Sequence, residues 1–352
     1  KENGYQVIGV TMQLWPDDRP PGERSGGCCG LDAIERARRA AAKLQIPHYV
    51  MDFRDAFENI VIADFCHEYR RGRTPNPCLR CNQYLKFDIL LRKAGELGAD
   101  FLATGHYTRI EENPRGFRLL KATDRTKDQS YFLYTLGQAE LGHLKFPLGG
   151  WHKSAVRARA AQLGLATTTA PESQDICFVE DGSYRAFIEK RDNPVPGDIT
   201  DTDGNILGQH RGLAGYTVGQ RQRLGISAGK RLYVIKLDSE ANRLVVGPAE
   251  QLLNRQLTAS HLSWVSGSPP LNQTGIKARI RYRSAEAKVE LRLIDGQALV
   301  IFKEPQKAIT PGQAVVFYRD EEVLGGGTIE SAGATDTCAD DFNITMEGES
   351  KY

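Results

Sequence analysis

The residues best suited to chemistry are two cysteines, Cys78 and Cys81, in a proline-rich basic stretch over residues 74–82. Pro75 and Pro77 restrict the backbone, so we predict an extended, rigid loop. The neighbouring arginines favour the thiolate form, which is both the nucleophile and the metal ligand. The C-x-x-C spacing suits a redox pair, half of a zinc site or part of an iron–sulfur site.

A further cysteine, Cys177, lies where a short polar stretch becomes apolar over residues 171–178. A single cysteine in such a setting is more often a core residue than a reactive one. The chain has seven cysteines, and their odd number, uneven spacing and the lack of a secretory signal argue against a disulfide framework. We therefore expect a reducing, cytoplasmic location. No chemistry is assigned to the other four, which are Cys28, Cys29, Cys66 and Cys338.

The net charge is only +2, but basic residues gather in three stripes. Such stripes can neutralise phosphates, although a single one is more often a solvated surface. They comprise Arg70, Arg71, Arg73, Arg80 and Lys86; Arg211, Arg221, Arg223, Lys230, Arg231 and Lys236; and Lys277, Arg279, Arg281 and Arg283. Three stripes together favour a nucleic-acid partner. A membrane is not expected, because no apolar run approaches the ~20 residues that a span needs.

Strands and helices alternate through the first half of the chain, which predicts a doubly wound parallel sheet. Apolar runs predict strands over residues 7–12, 48–53 and 101–104, with amphipathic helices between them. Ligands of such sheets bind at the carboxyl ends of the strands. This rule places Met12 and the Gly105–His106 turn at the ligand edge.

The pattern changes near residue 183, where a stretch rich in proline and glycine leads to short strands. From about residue 258 apolar and polar residues alternate, and Asp295–Gly296 predicts a hairpin turn. The acidic, aperiodic end of the chain is expected to be disordered. Four segments are predicted: an α/β domain over 1–182, a small, mainly β central domain over 183–257, a β-barrel over 258–333 and a tail over 334–352.

With these motifs in view, the chain resembles the bacterial tRNA-specific 2-thiouridylases, the MnmA/TrmU family. The matching stretches run in family order to about residue 330. They are VIGVTMQLW (7–15), RTPNPCLRCNQYLKF (73–87), ATGHYTR (103–109), KDQSYFLYTL (127–136), ESQDICF (172–178), VGQRQRLGI (218–226), IRYRS (280–284) and ITPGQAVVFY (309–318). The resemblance implies that the α/β domain has the adenine-nucleotide hydrolase-like (PP-loop) fold.

The resemblance also implies a reaction. ATP, with Mg²⁺, adenylates the wobble uridine at position 34 of tRNA, and sulfur then displaces AMP to give 2-thiouridine. Cys81 matches the family's nucleophile, and Cys177 matches the cysteine that carries the persulfide. A transient disulfide between Cys81 and Cys177 would release the sulfur. The implied partners are the anticodon loop of tRNA and a sulfur-donor protein.

Binding positions are carried over residue by residue. Met12 and Gly105 match ATP-contacting positions. Asn76, Pro77 and Cys78 match the segment that touches the target base. The positions that contact tRNA are matched by His106, Lys127, Asp128, Gln129, Arg281, Tyr282 and Gln313.

The chain departs from the family pattern at its start. Family members begin with a strand and an S-G-G-x-D-S-S loop that cradles the ATP phosphates, and this sequence starts after that loop. Ser25-Gly26-Gly27 lacks the Asp-Ser-Ser and is not taken for it. We expect the sequence to be a fragment of an active enzyme. The alternative is an inactive remnant that binds tRNA but not ATP.

A second departure is Cys78, since some family members have aspartate there. The thiolates of Cys78, Cys81 and Cys177 could hold a [4Fe–4S] cluster with one open iron site. We favour this cluster slightly over a persulfide relay, because Cys78 has no task in the relay. A third interpretation is a zinc-stabilised RNA-binding module that uses Cys78, Cys81 and other thiols. Measured iron and sulfide would indicate the cluster, whereas measured zinc would indicate the zinc-stabilised module.

Overall fold

The computed structural model describes residues 1–14, 31–165, 176–179, 184–191, 193–226 and 229–333. The Ser25-Gly26-Gly27 motif, Cys28, Cys29, Cys338 and the predicted tail lie outside these ranges. The chain divides into two compact units. One consists of Lys1–His67 and Asn76–Pro194, and the other of Glu68–Pro75 and the residues from Val195 onward. None of the helices in the described ranges is both long and apolar enough to span a bilayer.

Parallel strand pairs form the sheet layer of the first unit. Strand β1 (Gly9–Gln13) pairs with β2 (His48–Asp52), as the apolar runs predict. Next along the chain come β3 (Leu102–Ala103), an antiparallel hairpin of β4 (Thr108–Asn113) and β5 (Gly116–Lys121), and β6 (Leu144–Lys145), which pairs in parallel with β3. The third predicted strand is thus only two residues long, and the hairpin was not predicted.

Helices connect these strands. They are α1 (Leu31–Leu44), α2 (Arg54–Ala56), α3 (Ala63–Arg70), α4 (Pro77–Arg80), α5 (Leu90–Glu96), α6 (Gln138–Leu141), α7 (Lys153–Gln162) and α8 (Tyr184–Glu189). Two wider, π-helical stretches join neighbours into continuous helices: Phe57–Ile62 between α2 and α3, and Cys81–Ile89 between α4 and α5. Such π-helical segments are rare and occur frequently at functional sites.

The C-x-x-C segment is helical, so the predicted extended loop was wrong. Pro77 is the first residue of α4, where its missing N–H would have no partner within the helix in any case. Asn76 stays extended (φ −116°, ψ 96°), and its side chain accepts a hydrogen bond from the Cys78 N–H. The prolines therefore determine where the helix begins and do not exclude it.

Aromatic side chains fill the core of the first unit beneath these helices. Phe57, Phe65 and Phe178 are 2%, 0% and 2% exposed. The ring of Phe178 meets those of Phe57 and Phe65 edge to face, with centroids 5.7 and 5.0 Å apart. Such pairs stabilise a core beyond the area that they bury.

The second unit begins with a small sheet in the order β8-β7-β10-β9. Its strands are β7 (Gly197–Thr200), β8 (Ile206–His210), β9 (Tyr233–Asp238) and β10 (Arg243–Gly247). Strands β7 and β10 are parallel, and the other pairs are antiparallel. Ile199, Val234 and Leu244 form its buried core.

A closed six-stranded barrel follows. Its strands are β11 (Leu253–Trp264), β12 (Lys277–Arg279), β13 (Ala287–Ile294), β14 (Gln297–Lys307), β15 (Ala314–Arg319) and β16 (Glu322–Ala332). They run in the order β11-β14-β13-β12-β15-β16, and β11 pairs with β16 to close the barrel. The predicted Asp295–Gly296 turn joins β13 to β14, with both residues at positive φ. The succession of α/β domain, β sheet and barrel confirms the predicted fold, while the exact domain limits stay predictions.

Candidate functional site

The two cysteines of the C-x-x-C motif lie at the start of the helix that runs from α4 into α5. Residues three apart share one face of a helix, so Cys78 and Cys81 lie on the same side of its first turn. Cys78 is exposed, whereas Cys81 is partly exposed and begins the π-helical stretch. The Cys81 thiol is therefore accessible from solvent, while the Cys81 backbone is part of the helix.

Charged and polar groups surround the first turns of this helix. The Nε of Arg80 donates to the Asp64 carboxylate at 3.3 Å. Lys86 donates to the side-chain oxygen of Asn82 at 2.9 Å, and Asn82 in turn donates to the Phe132 carbonyl. Asn82 is only 4% exposed. These contacts connect the helix to Asp64 and to the Phe132 backbone in the first unit.

Cys177 is held by the aromatic core through its neighbour in sequence. It is partly exposed, and the adjacent Phe178 side chain is 2% exposed. A turn closed by the hydrogen bond from the Val179 N–H to the Ile176 carbonyl, at 3.0 Å, encloses both residues. Phe178 therefore anchors the backbone that carries the thiol.

Within the described residues, no group of three or more His, Cys, Asp or Glu side chains is placed to hold a metal ion. Cys78, Cys81 and Cys177 all belong to the residues searched. Together with the other described residues they form no group that could hold a [4Fe–4S] cluster or a zinc ion. The cluster hypothesis therefore has no support from the geometry, and no step below depends on it.

Met12 and Gly105 lie at the carboxyl ends of β1 and β3, as the parallel-sheet rule predicts. The His106 imidazole next to Gly105 bonds to the Thr104 hydroxyl through Nδ1 at 2.7 Å. Burial, and secondarily the charge of Lys86, lowers the pKa of His106 to about 3. His106 is therefore neutral at pH 7 and can act as a hydrogen-bonding group but not as a cation toward phosphate.

Within residues 127–129, Asp128 and Gln129 form hydrogen bonds that stabilise the local backbone. The buried Asp128 carboxylate, 3% exposed, accepts from the Ala122 N–H at 3.0 Å and the Ser130 hydroxyl at 2.9 Å. The side-chain oxygen of Gln129 accepts from the Tyr107 N–H at 2.9 Å. Their contact with tRNA, and that of Lys127, stays a prediction.

The tRNA-binding positions predicted in the second unit are on the barrel. Arg281 is exposed, and its guanidinium donates to the carbonyls of Lys307 and Ala308. Tyr282 beside it is partly exposed. The Gln313 amide donates to the Thr74 carbonyl at 2.8 Å. Contact of these three residues with tRNA is likewise untested.

Two largely buried arginines of the basic stripes use their charge in ion pairs within the protein. The Arg73 side chain is 11% exposed and forms ion pairs with Glu68 and Glu330. Arg279 pairs with Glu286 at 2.9 Å. These arginines are thus less suited to phosphate than the stripes suggested. Sequence reasoning missed Glu330, because nothing local links it to Arg73, and it gave no role to Glu68, five residues before Arg73.

An α/β domain with a thiol-bearing helix, followed by a small β sheet and a closed barrel, defines a three-part protein of the HUP class. Three domain families match in this order: the tRNA methyl transferase HUP domain over residues 1–181, the tRNA methyl transferase PRC-barrel domain over 185–248 and the aminomethyltransferase beta-barrel domain over 254–329. The tRNA-specific 2-thiouridylase MnmA of Heliobacterium modesticaldum is 50% identical over 93% of this chain and 87% of its own length. Its namesakes in Magnetococcus marinus (50% identity, 93% of each chain) and Geobacter metallireducens (48%, 94% and 92%) are similarly close. The chain belongs to the tRNA-specific 2-thiouridylase family.

Proposed function

We propose that this protein is a tRNA-uridine 2-sulfurtransferase that converts the wobble uridine, position 34, into 2-thiouridine. The observation that carries the proposal is the match to 2-thiouridylases over more than nine-tenths of the chain. The reaction requires an activated base, a sulfur nucleophile and an exposed thiol to release the sulfur. The inactive-remnant alternative has no observation in its favour.

In the first step the O2 oxygen of the uridine attacks the α-phosphate of ATP, and pyrophosphate leaves. ATP is a co-substrate, and Mg²⁺ accompanies its phosphates. Met12 and Gly105 support this step by their position at the carboxyl ends of parallel strands, where nucleotides bind in such folds. The target base must leave its stack, which costs least in a loop.

In the second step a persulfide on Cys177, loaded by a sulfur-donor protein, supplies sulfur to C2 of the uridine, and AMP leaves. The Cys81 thiolate attacks the Cys177 sulfur, and the outer sulfur departs as sulfide. The two cysteines are thereby oxidised to a disulfide, the sulfane sulfur is reduced, and a thiol reductant later restores both cysteines. Asn76, Pro77 and Cys78 would lie against the base, since they form the start of the same helix, where the Cys78 side chain is exposed.

The proposal is tested with full-length protein, a tRNA transcript, ATP and sodium sulfide. We expect AMP and 2-thiouridine in a one-to-one ratio, with AMP measured by chromatography and the nucleoside by mass spectrometry. The matched control is the same tRNA with cytidine at position 34, which should give neither product. AMP without 2-thiouridine, or 2-thiouridine from the control, would contradict the assignment.

Arg281→Ala is expected to weaken tRNA binding and to lower the slope of log affinity against log salt by about one unit. The reason is that an exposed guanidinium on the barrel neutralises one phosphate. The measurement is tRNA affinity over a series of salt concentrations. Arg292→Ala is the control, because Arg292 is similarly exposed on the barrel but pairs with Glu290 at 2.6 Å. An unchanged slope in Arg281→Ala would exclude Arg281 from the phosphate contacts.

A further inference from the structure

The segment Glu68–Pro75 is built into the second unit, although the residues on both sides of it belong to the first. It ends one residue before the Asn76 cap of the thiol-bearing helix. Whatever holds this segment therefore holds the chain immediately before Cys78 and Cys81. The contacts of Arg73 with Glu330 and of Gln313 with Thr74 are internal to the second unit.

An ion-pair network fixes the segment to strand β16. The Arg73 guanidinium donates two hydrogen bonds to the carboxylate of Glu330 and one, at 2.7 Å, to Glu68. Ser260 on β11 donates to the same Glu330 carboxylate. We call Glu68, Arg73, Ser260 and Glu330 the Arg73 cluster. Because both ends of the planar guanidinium are engaged, its orientation and that of the backbone carrying it are fixed.

The electrostatics of the Arg73 cluster agree with this geometry. Burial alone would raise the pKa of Glu330, but the hydrogen bonds from Arg73 and Ser260 and the charge of Arg73 outweigh it and hold that pKa below its ordinary value. Burial would lower the pKa of Arg73, and its two carboxylate partners reverse the effect. A carboxylate with a depressed folded-state pKa stabilises the fold above its unfolded pKa, and that contribution is lost as pH falls through the folded value. Arg73 and Glu330 are thus both charged at neutral pH.

Two further contacts hold the next residues. The Thr74 N–H donates to the Pro311 carbonyl at 2.9 Å, and the Gln313 amide donates to the carbonyls of Thr74 and Pro75 at 2.8 and 3.4 Å. Gly312 permits the close approach: its φ is +89°, and a Cβ there would lie 2.9 Å from the Thr74 nitrogen. Three sets of contacts, made by the Arg73 cluster, the Pro311 carbonyl and the Gln313 amide, therefore hold the consecutive residues Arg73, Thr74 and Pro75.

The chain between these contacts and the thiols is stiff. Pro75 and Pro77 have fixed φ angles, and Thr74 and Asn76 each precede a proline, which restricts them as well. Few soft torsions remain between the Gln313 contact and the first turn of α4. A displacement of the held segment must therefore appear as a displacement of the helix start.

We propose that Arg73, Glu330 and Gln313 are positioning residues for the thiol-bearing helix, acting through the Thr74–Pro77 connection. This assignment rests on the proposed function only for its catalytic consequence. For sulfur transfer the thiol must approach the base closely, and a misplacement of about 1 Å costs on the order of a hundredfold in rate. Gln313, which the family resemblance assigns to tRNA, would then serve mainly to orient the chain before Cys81.

The structural part is tested by hydrogen–deuterium exchange of the full-length protein without substrates. In Gln313→Glu, where the carboxylate cannot donate, and in Glu330→Gln, amides over residues 76–85 should exchange at least about tenfold faster. The control is Glu286→Gln, which breaks the Arg279–Glu286 pair, an ion pair of similar burial in the same barrel. It should leave exchange over 76–85 unchanged. Unaltered exchange in Gln313→Glu, a change too small to unfold the barrel, would overturn the proposal.

The catalytic part is tested in the same variants by separating kcat from tRNA affinity. We expect kcat to fall about ten- to a hundredfold while the Kd for tRNA changes less than twofold. Arg73→Lys should lower kcat in a similar way. Lysine keeps the positive charge, but it lacks the planar guanidinium that donates to Glu68 and Glu330 at once. A weaker Kd with unchanged kcat and unchanged exchange would identify Gln313 as a tRNA contact and overturn its positioning role. If the wild-type protein makes no 2-thiouridine, the proposed function fails, while the exchange result still decides the structural part.

Discussion

Replacing Cys81 with serine is expected to reduce 2-thiouridine formation by at least about a thousandfold, and Cys177→Ser should do the same. A serine hydroxyl is protonated at neutral pH and is a far weaker nucleophile than a thiolate. It also cannot carry a persulfide or form the disulfide that releases the sulfur. The measurement is single-turnover formation of 2-thiouridine with a preloaded persulfide donor. The affinity for tRNA should stay within about twofold, because neither thiol carries binding energy.

Two further cysteine variants are needed to interpret this result. Cys66 is 5% exposed in α3, so Cys66→Ala should retain activity and control for general damage to the thiol set. Cys78→Ser should also retain most activity if sulfur passes as a persulfide between Cys177 and Cys81. Loss of activity in Cys78→Ser, together with about four irons and four sulfides per chain in anaerobically purified protein, would contradict the persulfide route. Full activity in Cys81→Ser would remove Cys81 from the mechanism altogether.

Phe178→Ala is expected to destabilise the first unit by about 3–5 kcal/mol, the largest stability effect among the substitutions considered. Its side chain is 2% exposed and lies against Phe57, Phe65 and Phe187, the last with a centroid distance of 5.1 Å. Truncation would leave a cavity among three rings and remove the edge-to-face contacts. Denaturant unfolding, followed by exchange of peptides from the α3 region, measures the loss.

Phe101→Ala is the control for this substitution. Phe101 is 40% exposed and carries the Lys145 ammonium 3.9 Å from its ring centroid, so its truncation should cost below about 1 kcal/mol. If Phe178→Ala costs no more than Phe101→Ala, the aromatic core does not anchor the Cys177 turn as described. In a protein with two compact units the first unfolding transition is the relevant one.

Much of the fold could be predicted because its signals are local. Apolar runs located β1 and β2, and the alternation around Asp295–Gly296 located β13, β14 and the turn between them. The β4–β5 hairpin was missed because Arg109, Glu111 and Glu112 dilute the alternation of its first strand. The sequence predicts a strand where the alternation of apolar and polar residues follows the burial pattern. Where charged residues interrupt that alternation, as in β4, the strand is not predicted.

The local structure of the thiol site was harder to predict. Proline is unfavourable inside a helix but favourable at the first helical position. Pro77 alone therefore does not indicate whether a loop or a helix forms. The Asn76 side chain decides between them by accepting from the Cys78 N–H, a contact that spacing alone suggests only weakly. The choice of thiols came from family motifs. Their exposure and the anchoring of Cys177 by Phe178 came only from the folded structure.

Contacts between distant parts of the sequence could not be predicted at all. Arg73 counted as one member of a basic stripe, and its partner Glu330 is 257 residues away. No periodicity or motif relates two such positions, because the barrel must form before they meet. The same holds for Gln313 and Thr74, 239 residues apart.

The separation of Arg73 from Glu330 also bears on how the protein is made. Ribosomes add about 5–20 residues per second, so Glu330 is synthesised roughly 15–50 s after Arg73. Cys177 is added 104 residues after Arg73, so only in the later part of that interval does the nascent chain contain Cys78, Cys81 and Cys177 while it still lacks the strand against which Glu68–Pro75 docks. Until that strand is made, the start of the thiol-bearing helix lacks the contacts of Arg73 with Glu330 and of Gln313 with Thr74. If Arg73, Glu330 and Gln313 position the thiol-bearing helix as proposed, completion of the last barrel strand is the event in biosynthesis that fixes the start of that helix.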